Sequence, residues 1–477
     1  MSEARRAQNL RRLFEPASVA VLGASDNPSK VGSRPVALLQ KYGFAGDIYP
    51  INPARAEIAG LNAYPDLGAL PQVPDVVVFC VPAKDVVAAV RQCAERGVGA
   101  AVVYTSGFGE IDDAGRQAEQ ELRAIAEQSG LIICGPNCQG PANFFNGAVL
   151  NFTSALMRER IGSGNVGLVT QSGLVGGLMV TSLSERGLGI GYLVSTGNEA
   201  GMTLSDAIRH MAGDDRVRVI AGYVEQVRDL PSFREAVLLT RSNGKPVVVL
   251  KVGRGPDAAR AAAAHTGSLT GDAEHYDAAF AEMGVVVAES LEELTELTMA
   301  FAATARFPAG RRVGILTNSG GLGVFSADEV SRQGLSMATF APATVAAIAG
   351  RLPAFGSAAN PVDISTQAFS DVEAVGSHLE RICSDDNVDI VAVTFGLQFL
   401  NAEPLVRHII RVSGETGKPF FVSWMSSDAA AAAALQAAGI AVFSDPARAI
   451  RCARRLADFA ALAGQTAASV GAGEQAL

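Results

Sequence analysis

The feature that most restricts how this chain can fold is that part of it repeats. VGLVTQSGLVGG at Val166–Gly177 and VGILTNSGGLGV at Val313–Val324 share one pattern, an apolar run, a Ser-Gly turn and a small-residue stretch; Ser172 and Ser319 stand 147 residues apart. A period of that length is a domain, not a solenoid unit. The register persists downstream. GKPVVVLKVGR from Gly244 is matched by GKPFFVSWMSS from Gly417, and GVVVAESLEEL from Gly284 by GIAVFSDPARAI from Gly439. Two sister domains are therefore expected at 151–307 and 308–477, after a first domain at 1–150, as the length of 477 residues also suggests.

Throughout, short β-branched runs (SVAVLG, DVVVFCVP, GAAVVYTSG, LIICGPN) alternate with alanine-rich stretches of helical length. That alternation predicts an α/β fold of βαβ units with parallel sheets buried on both faces. The first unit is the most legible: a strand at Ser18–Leu22, a tight turn at Gly23-Ala24-Ser25 and a helix over Val31–Tyr42. A strand entering a helix through small residues leaves backbone N–H groups free to hold an anion. With 48% hydrophobic and 18% charged residues, and 50 Gly and 21 Pro spread along the chain, it is neither disordered, collagenous nor a coiled coil. A net charge of −9 argues against nucleic acid; the basic start (Arg5, Arg6, Arg11, Arg12) reads as a solvated helix face. No apolar run approaches 18 residues and the start lacks a signal-peptide pattern, so a cytoplasmic location is expected. Six scattered Cys predict free thiols and no structural metal; Cys134 and Cys138 have no second pair to close a zinc site.

The sisters differ in one place. Gly244 to Gly284 spans 40 residues, whereas Gly417 to Gly439 spans 22, and aligning Asp272 with Asp428 puts most of the excess in GPDAARAAAAHTGSLTG, Gly255–Gly271. The sheet does not need a segment its twin omits, and long loops in compact domains are usually functional. The segment carries His265, whose imidazole titrates near neutrality and can serve as nucleophile, base or ligand; the alternative is a histidine in an alanine-rich surface loop. His210, His275, His378 and His408 read as ordinary surface or core residues. The ten residues from His265 to His275 do not suit a zinc helix, and TQSGL and TNSGG lack the first Gly of a hydrolase elbow.

Both Ser-Gly turns, at Ser172-Gly173 and Ser319-Gly320-Gly321, end an apolar strand and open a helix, which suits a phosphate and equally suits plain capping. Glu225, closing the strand of GYVEQV, either orients an imidazole or faces solvent. The first turn, GASDNPSKVG, lacks G-x-G-x-x-G, and IYPINP supplies no acid for a ribose, so a nicotinamide is the weaker reading, and a nucleotide with phosphates and a long arm, such as coenzyme A, fits equally well on physics.

Taken together, SVAVLGASDNPSKVGSRPV, IYPINP, CVPAK, TSGFGE, CGPNCQG, VTQSGLVGG, AAAAHTGSLTGD, LTNSGGLGV and NPVDI, in that order over residues 10 to 460, resemble the α subunit of NDP-forming (ADP-forming) acyl-CoA synthetases, relatives of succinyl-CoA synthetase. The resemblance implies an N-terminal Rossmann-like CoA-binding domain followed by two flavodoxin-like, succinyl-CoA-synthetase-type domains. It implies that His265 is phosphorylated with Glu225 as its hydrogen-bonding partner, and that the helices opening at Ser172 and Ser319 hold the phosphoryl group. CoA would lie against Gly23, Ala24, Ser25, Lys30, Pro50, Asn52, Val81, Pro82, Ser106, Gly107 and Asn137. Ala264 stands where the family usually has Ser, and Thr270 where it often has Ala; both leave the chemistry possible.

The implied reaction interconverts acyl-CoA, phosphate and NDP with acid, CoA and NTP through acyl phosphate and phosphohistidine. The family's ATP-grasp part has no counterpart in the sequence, and no Walker motif replaces it. The resemblance therefore implies an ATP-grasp β subunit carrying ATP/ADP (or GTP/GDP) and Mg, in an α2β2 assembly. The competing readings are a non-catalytic CoA or acyl-CoA binder and, through the first domain alone, a nicotinamide oxidoreductase.

Overall fold

A computed structural model describes residues 3–255, 257–258, 273–304, 306–426 and 429–474. Three mainly parallel sheets follow one another along the chain, with a two-stranded ribbon beside the first. The first sheet holds β1 (Ser18–Leu22), β2 (Asp47–Ile51), β5 (Val76–Phe79), β6 (Ala100–Val103) and β7 (Ile132–Cys134) in the order β2-β1-β5-β6-β7; the ribbon is β3 (Glu57–Ile58) and β4 (Leu61–Asn62). The second holds β8 (Gly140–Asn143), β9 (Ala148–Val149), β10 (Val166–Thr170), β11 (Ile190–Ser195), β12 (Val219–Val224), β13 (Val247–Lys251) and β14 (Val286–Val287) in the order β14-β13-β12-β10-β11-β8-β9. In the third, β16 (Ser336–Met337), β15 (Arg312–Thr317), β18 (Ile390–Phe395), β19 (Phe420–Trp424) and β20 (Ala441–Phe443) lie in that order, and β17 (Val362–Asp363) pairs with the end of β15.

The strands form where β-branched runs can be buried on both faces: VVVF of β5, AAVV of β6 and VVVLK of β13 are buried throughout. The parallel part of each sheet starts inside it, at β1, β10 and β15; β8 and β9 precede β10 in the chain and form the edge of the second sheet. The chain lays one neighbour beside the first strand, then crosses to the other side, so the direction of winding reverses between β1 and β5, between β10 and β12, and between β15 and β18. In sheets of this kind ligands bind at the carboxyl ends of the strands flanking that reversal.

By contacts the described chain divides into two compact units: residues 1–184 with 189–291, and residues 185–188 with 292–477. The first two sheets thus share one unit, and a continuous core runs from Val19, Val21 and Val78 to Tyr192, Met211 and Phe233. The hairpin of β8 and β9, which the sequence places in the first 150 residues, joins the second sheet antiparallel to β11. The second unit packs its own core around Val391, Phe395, Trp424 and Leu435. The N-terminal helix Glu3–Phe14 is not the freely solvated face its arginines suggest. Arg6 donates to Asp206 at 2.9 Å and Arg12 to Asp75 at 2.5 Å, tying the helix to both sheets of its unit. All six cysteines are free thiols, and no described helix is long and apolar enough to cross a membrane.

Candidate functional site

The residues expected to meet CoA assemble at the carboxyl edge of the first sheet. Gly23-Ala24-Ser25 leaves β1 and Val81-Pro82 follows β5, so these two groups flank the reversal point; Pro50 and Asn52 end β2, Ser106-Gly107 follow β6 and Asn137 follows β7. Short bonds hold the loops together. Gly23 N–H donates to Ile51 O at 3.1 Å, Asn52 Nδ2 to Ala24 O at 2.8 Å, Thr105 Oγ1 to Val81 O at 2.7 Å and Asn137 N–H to Thr105 O at 2.9 Å. Gly23 is required twice over: its φ is +85°, and a Cβ there would stand 2.5 Å from Cys80 O. Lys30, Ser106, Gly107 and Pro82 are exposed, and Pro50 is buried. This edge combines exposed small-residue backbone with a cation and suits a phosphate-bearing ligand.

At the second sheet's reversal point Gln171, just past β10, reaches across to the end of β12. Its Oε1 accepts from Glu225 N–H at 2.7 Å and Gln226 N–H at 2.9 Å, and its Nε2 donates to Gln226 O at 2.7 Å. From the other flank Lys251, the last residue of β13, donates from Nζ to Glu225 O at 2.7 Å. Glu225 is therefore not a solvent-facing strand end; it is buried, with both its peptide N–H and its C=O held by side chains of neighbouring strands. Burial, with Arg254 adding to it, pushes the Lys251 ammonium down to about 8, against the opposing pull of Glu225.

Both Ser-Gly turns are built alike. Thr170 Oγ1 accepts from Ser172 N–H at 3.1 Å and Thr317 Oγ1 from Ser319 N–H at 3.2 Å, and helices Gly173–Glu185 and Gly320–Arg332 begin at once. Ser319 Oγ caps its own helix, accepting from Leu322 N–H at 3.5 Å. Gly173 lies against Gln139, whose Cγ a Cβ would meet at 2.4 Å; Gly320 and Gly321 stay exposed. The third sheet repeats the cross-strand clamp: Asn318 Oδ1 accepts from Gly396 N–H at 3.0 Å, just past β18. His265 lies outside the described residues.

Sequence reasoning missed four residues here. Gln171 and Lys251 are two. The others are Asn198 and Glu199, in the loop after β11, which links the carboxyl edge of the first sheet to the second sheet. Asn198 Nδ2 donates to Glu110 Oε2 at 2.6 Å and Glu119 Oε2 at 3.1 Å, and its Oδ1 accepts from Asn137 at 3.2 Å. Burial favours the neutral Glu110 acid, but the amides of Gly107, Phe108 and Asn198 outweigh it and hold the carboxyl below its ordinary range. Glu199 is 2% exposed; burial pushes it up to about 7 against the Thr196 hydroxyl and Arg228. Its Oε1 accepts from Thr196 Oγ1 at 2.9 Å and from Leu204 N–H at 3.0 Å. A comparison of the repeats at position 171/318, amide against amide, was the available signal for the clamp.

Residues 17–143 match the CoA binding domain family, 163–301 the succinyl-CoA ligase like flavodoxin domain and 313–378 the ligase-CoA domain. The chain is similar to two Pyrococcus furiosus proteins: the ADP-forming acetate–CoA ligase II subunit alpha (35% identity, 87% of this chain, 89% of that one) and its I counterpart (34%, 93% and 96%). It is also similar to a trans-feruloyl-CoA synthase of an unknown prokaryotic organism (34% identity, 94% of this chain), of whose length it spans 65%. Among solved structures, the dinucleotide-forming acetyl-coenzyme A synthetase 1 of Ca. Korarchaeum cryptofilum, in complex with phosphate and ADP, superposes with a TM-score of 0.89 at 31% identity, covering 96% of this chain and 98% of that one.

Proposed function

Because the chain belongs to the ADP-forming acyl-CoA synthetase family of acid–thiol ligases, we propose that it carries the CoA and phosphoryl-relay half of such an enzyme. The observation that supports this most directly is the immobilised Glu225 main chain at the second reversal point, in the same compact unit as the small-residue edge expected to hold CoA.

In this reading phosphate attacks the thioester carbonyl, the C–S bond breaks and CoA leaves as thiolate. An imidazole nitrogen of His265 then attacks the phosphorus of the acyl phosphate, and the P–O bond breaks to release the carboxylate. Glu225 accepts the hydrogen bond of the other ring nitrogen, favouring the charged phosphoimidazole. The Ser172 and Ser319 helix ends offer N–H groups to the phosphoryl oxygens. CoA lies along Gly23, Ala24, Ser25, Lys30, Pro50, Asn52, Val81, Pro82, Ser106, Gly107 and Asn137. Nucleotide, with Mg, belongs to an ATP-grasp β subunit in an α2β2 assembly, and the location is cytoplasmic. The three domains divide at 150 and 307. The relatives' names span acetate, 4-hydroxybutyrate and feruloyl-CoA, which makes a small carboxylic acid the substrate class.

The test incubates the purified chain with [³²P]phosphate and acetyl-, 4-hydroxybutyryl- or feruloyl-CoA. Acid-labile, base-stable label on wild type and none on His265→Ala is expected. Label that persists in the variant moves the nucleophile elsewhere. No label with any thioester, despite CoA binding, leaves the binding-protein reading.

A further inference from the structure

We propose that Lys251 is a positioning residue for the relay: together with Gln171 it grips the Glu225 main chain from the two flanking strands and fixes where the carboxylate is presented. The proposal deepens the reading above and rests on it.

Lys251 is 3% exposed. Its Nζ donates to Glu225 O at 2.7 Å and to Val252 O at 2.6 Å and lies 4.6 Å from the centre of the Tyr276 ring. Burying an ammonium is costly even when carbonyls and an aromatic face replace water. The sheet itself does not require it, because the sister sheet makes the same turn without one. In the repeat, Trp424 stands at the position of Lys251, at the end of β19, and Gly396 at the position of Glu225, just past β18. The amide clamp is kept in both copies, as Gln171 and Asn318. The amide therefore goes with the strand crossing, whereas the lysine accompanies the acid and is gone where the acid is gone.

The two grips act on opposite sides of one residue. Gln171 Oε1 holds the N–H from β10 and Lys251 Nζ holds the C=O from β13, so the peptide planes on both sides of the Glu225 Cα are fixed. A carboxylate that must meet an imidazole gains from such fixing, since a misplacement of about 1 Å costs on the order of 10²-fold in rate.

The test measures the first-turnover labelling rate with [³²P]phosphate and the acyl-CoA that gives label in wild type. Lys251→Met is expected to slow labelling by about 10- to 100-fold while the half-saturating acyl-CoA concentration moves less than about threefold. Glu225→Gln is slow by itself, and adding Lys251→Met to it should slow labelling no further, because the lysine acts only through the acid. Gln171→Met, run through the same cycle, serves if Lys251→Met does not fold. Equal slowing with and without Glu225, or an unchanged rate in Lys251→Met, overturns the proposal. If wild type takes no label, or Glu225→Gln labels at the wild-type rate, it is the underlying reading that fails.

Discussion

Gly396 occupies in the third sheet the place that Glu225 occupies in the second: each follows the last residue of the strand across the reversal point, and each gives its N–H to an amide side chain one residue before the Ser-Gly turn. Two copies of one frame thus differ at the atom group that can do chemistry. The copy with the carboxylate is also the one with the extra segment bearing His265.

That asymmetry predicts opposite responses to substitution. Glu225→Gln should lower the first-turnover labelling rate by about 10²-fold or more, within the range for loss of a charged group acting on an imidazole. Gly396→Ala should leave that rate within about twofold of wild type. A Cβ there meets Leu322 Cδ1 at 3.2 Å, a side-chain atom that can give way, and Asn318 Oδ1 at 4.0 Å, an ordinary contact, so its thermal midpoint should change little as well. Rapid-quench labelling and differential scanning fluorimetry of the two variants check both halves.

Asn198 couples the two sheets of the first unit, because one amide serves Glu110 and Glu119 with its N–H groups and Asn137 with its oxygen. Glu110 in turn accepts from Gly107 N–H at 2.6 Å, in the loop after β6. Replacing Asn198 with Ala leaves two carboxylates short of a donor and should destabilise the unit by about 2–3 kcal/mol. It should also raise the CoA concentration needed for half-saturation, by releasing Asn137 and the Ser106-Gly107 loop. Calorimetric titration with CoA and thermal melts test the pair of effects. Weakened stability with unchanged CoA affinity would separate Asn198 from the CoA edge.

The strand framework and the turn positions were legible because both depend on local chemistry. A β-branched run such as Val76–Phe79 fits only a sheet covered on both faces, and Gly23 marks a backbone that no side chain could follow. The supports of Glu225 were not legible by the same means. Gln171 and Lys251 reach it across strands that are 54 and 26 residues away in the chain, and in isolation an amide before a Ser-Gly turn and a lysine at a strand end read as surface. The β8–β9 hairpin was hidden for a related reason. Gly-Pro-Ala-Asn has a loop's composition, and only pairing with β11 makes it a strand.

Glu199 should give the stability of the first unit a pH dependence of definite sign. Burial raises this carboxyl from the ordinary 4.5 to about 7 in the folded chain. Below 4.5 both folded and unfolded states hold the proton and nothing is lost. Between 4.5 and 7 only the folded state holds it, so stability falls as pH rises, with a ceiling of about 3 kcal/mol reached above 7. Glu199→Gln keeps an acceptor for Thr196 and Leu204 N–H but cannot ionise, and its thermal midpoint should fall less between pH 5 and pH 8 than that of wild type. An identical fall in both proteins would mean that Glu199 ionises as an exposed carboxyl does.

The crevice at the end of β1 predicts two distinguishable ways to lose CoA. Lys30 is exposed and makes no ion pair among the described residues, so Lys30→Ala should leave the thermal midpoint of the free protein unchanged. CoA affinity should fall by roughly tenfold at low salt and by less at high salt, as expected for a cation meeting a phosphate near the surface. Gly23→Ala acts through the backbone instead. The residue's φ of +85° and the 2.5 Å approach of Cys80 O force the turn open, which lowers the midpoint and abolishes binding whatever the salt. CoA, as a ligand of the folded state, should raise the midpoint of wild type and, at tenfold higher concentration, that of Lys30→Ala equally, but should never raise that of Gly23→Ala. Titrating CoA against the three melting curves at two salt concentrations decides it. A salt-independent loss in Lys30→Ala would remove that side chain from the phosphate contacts.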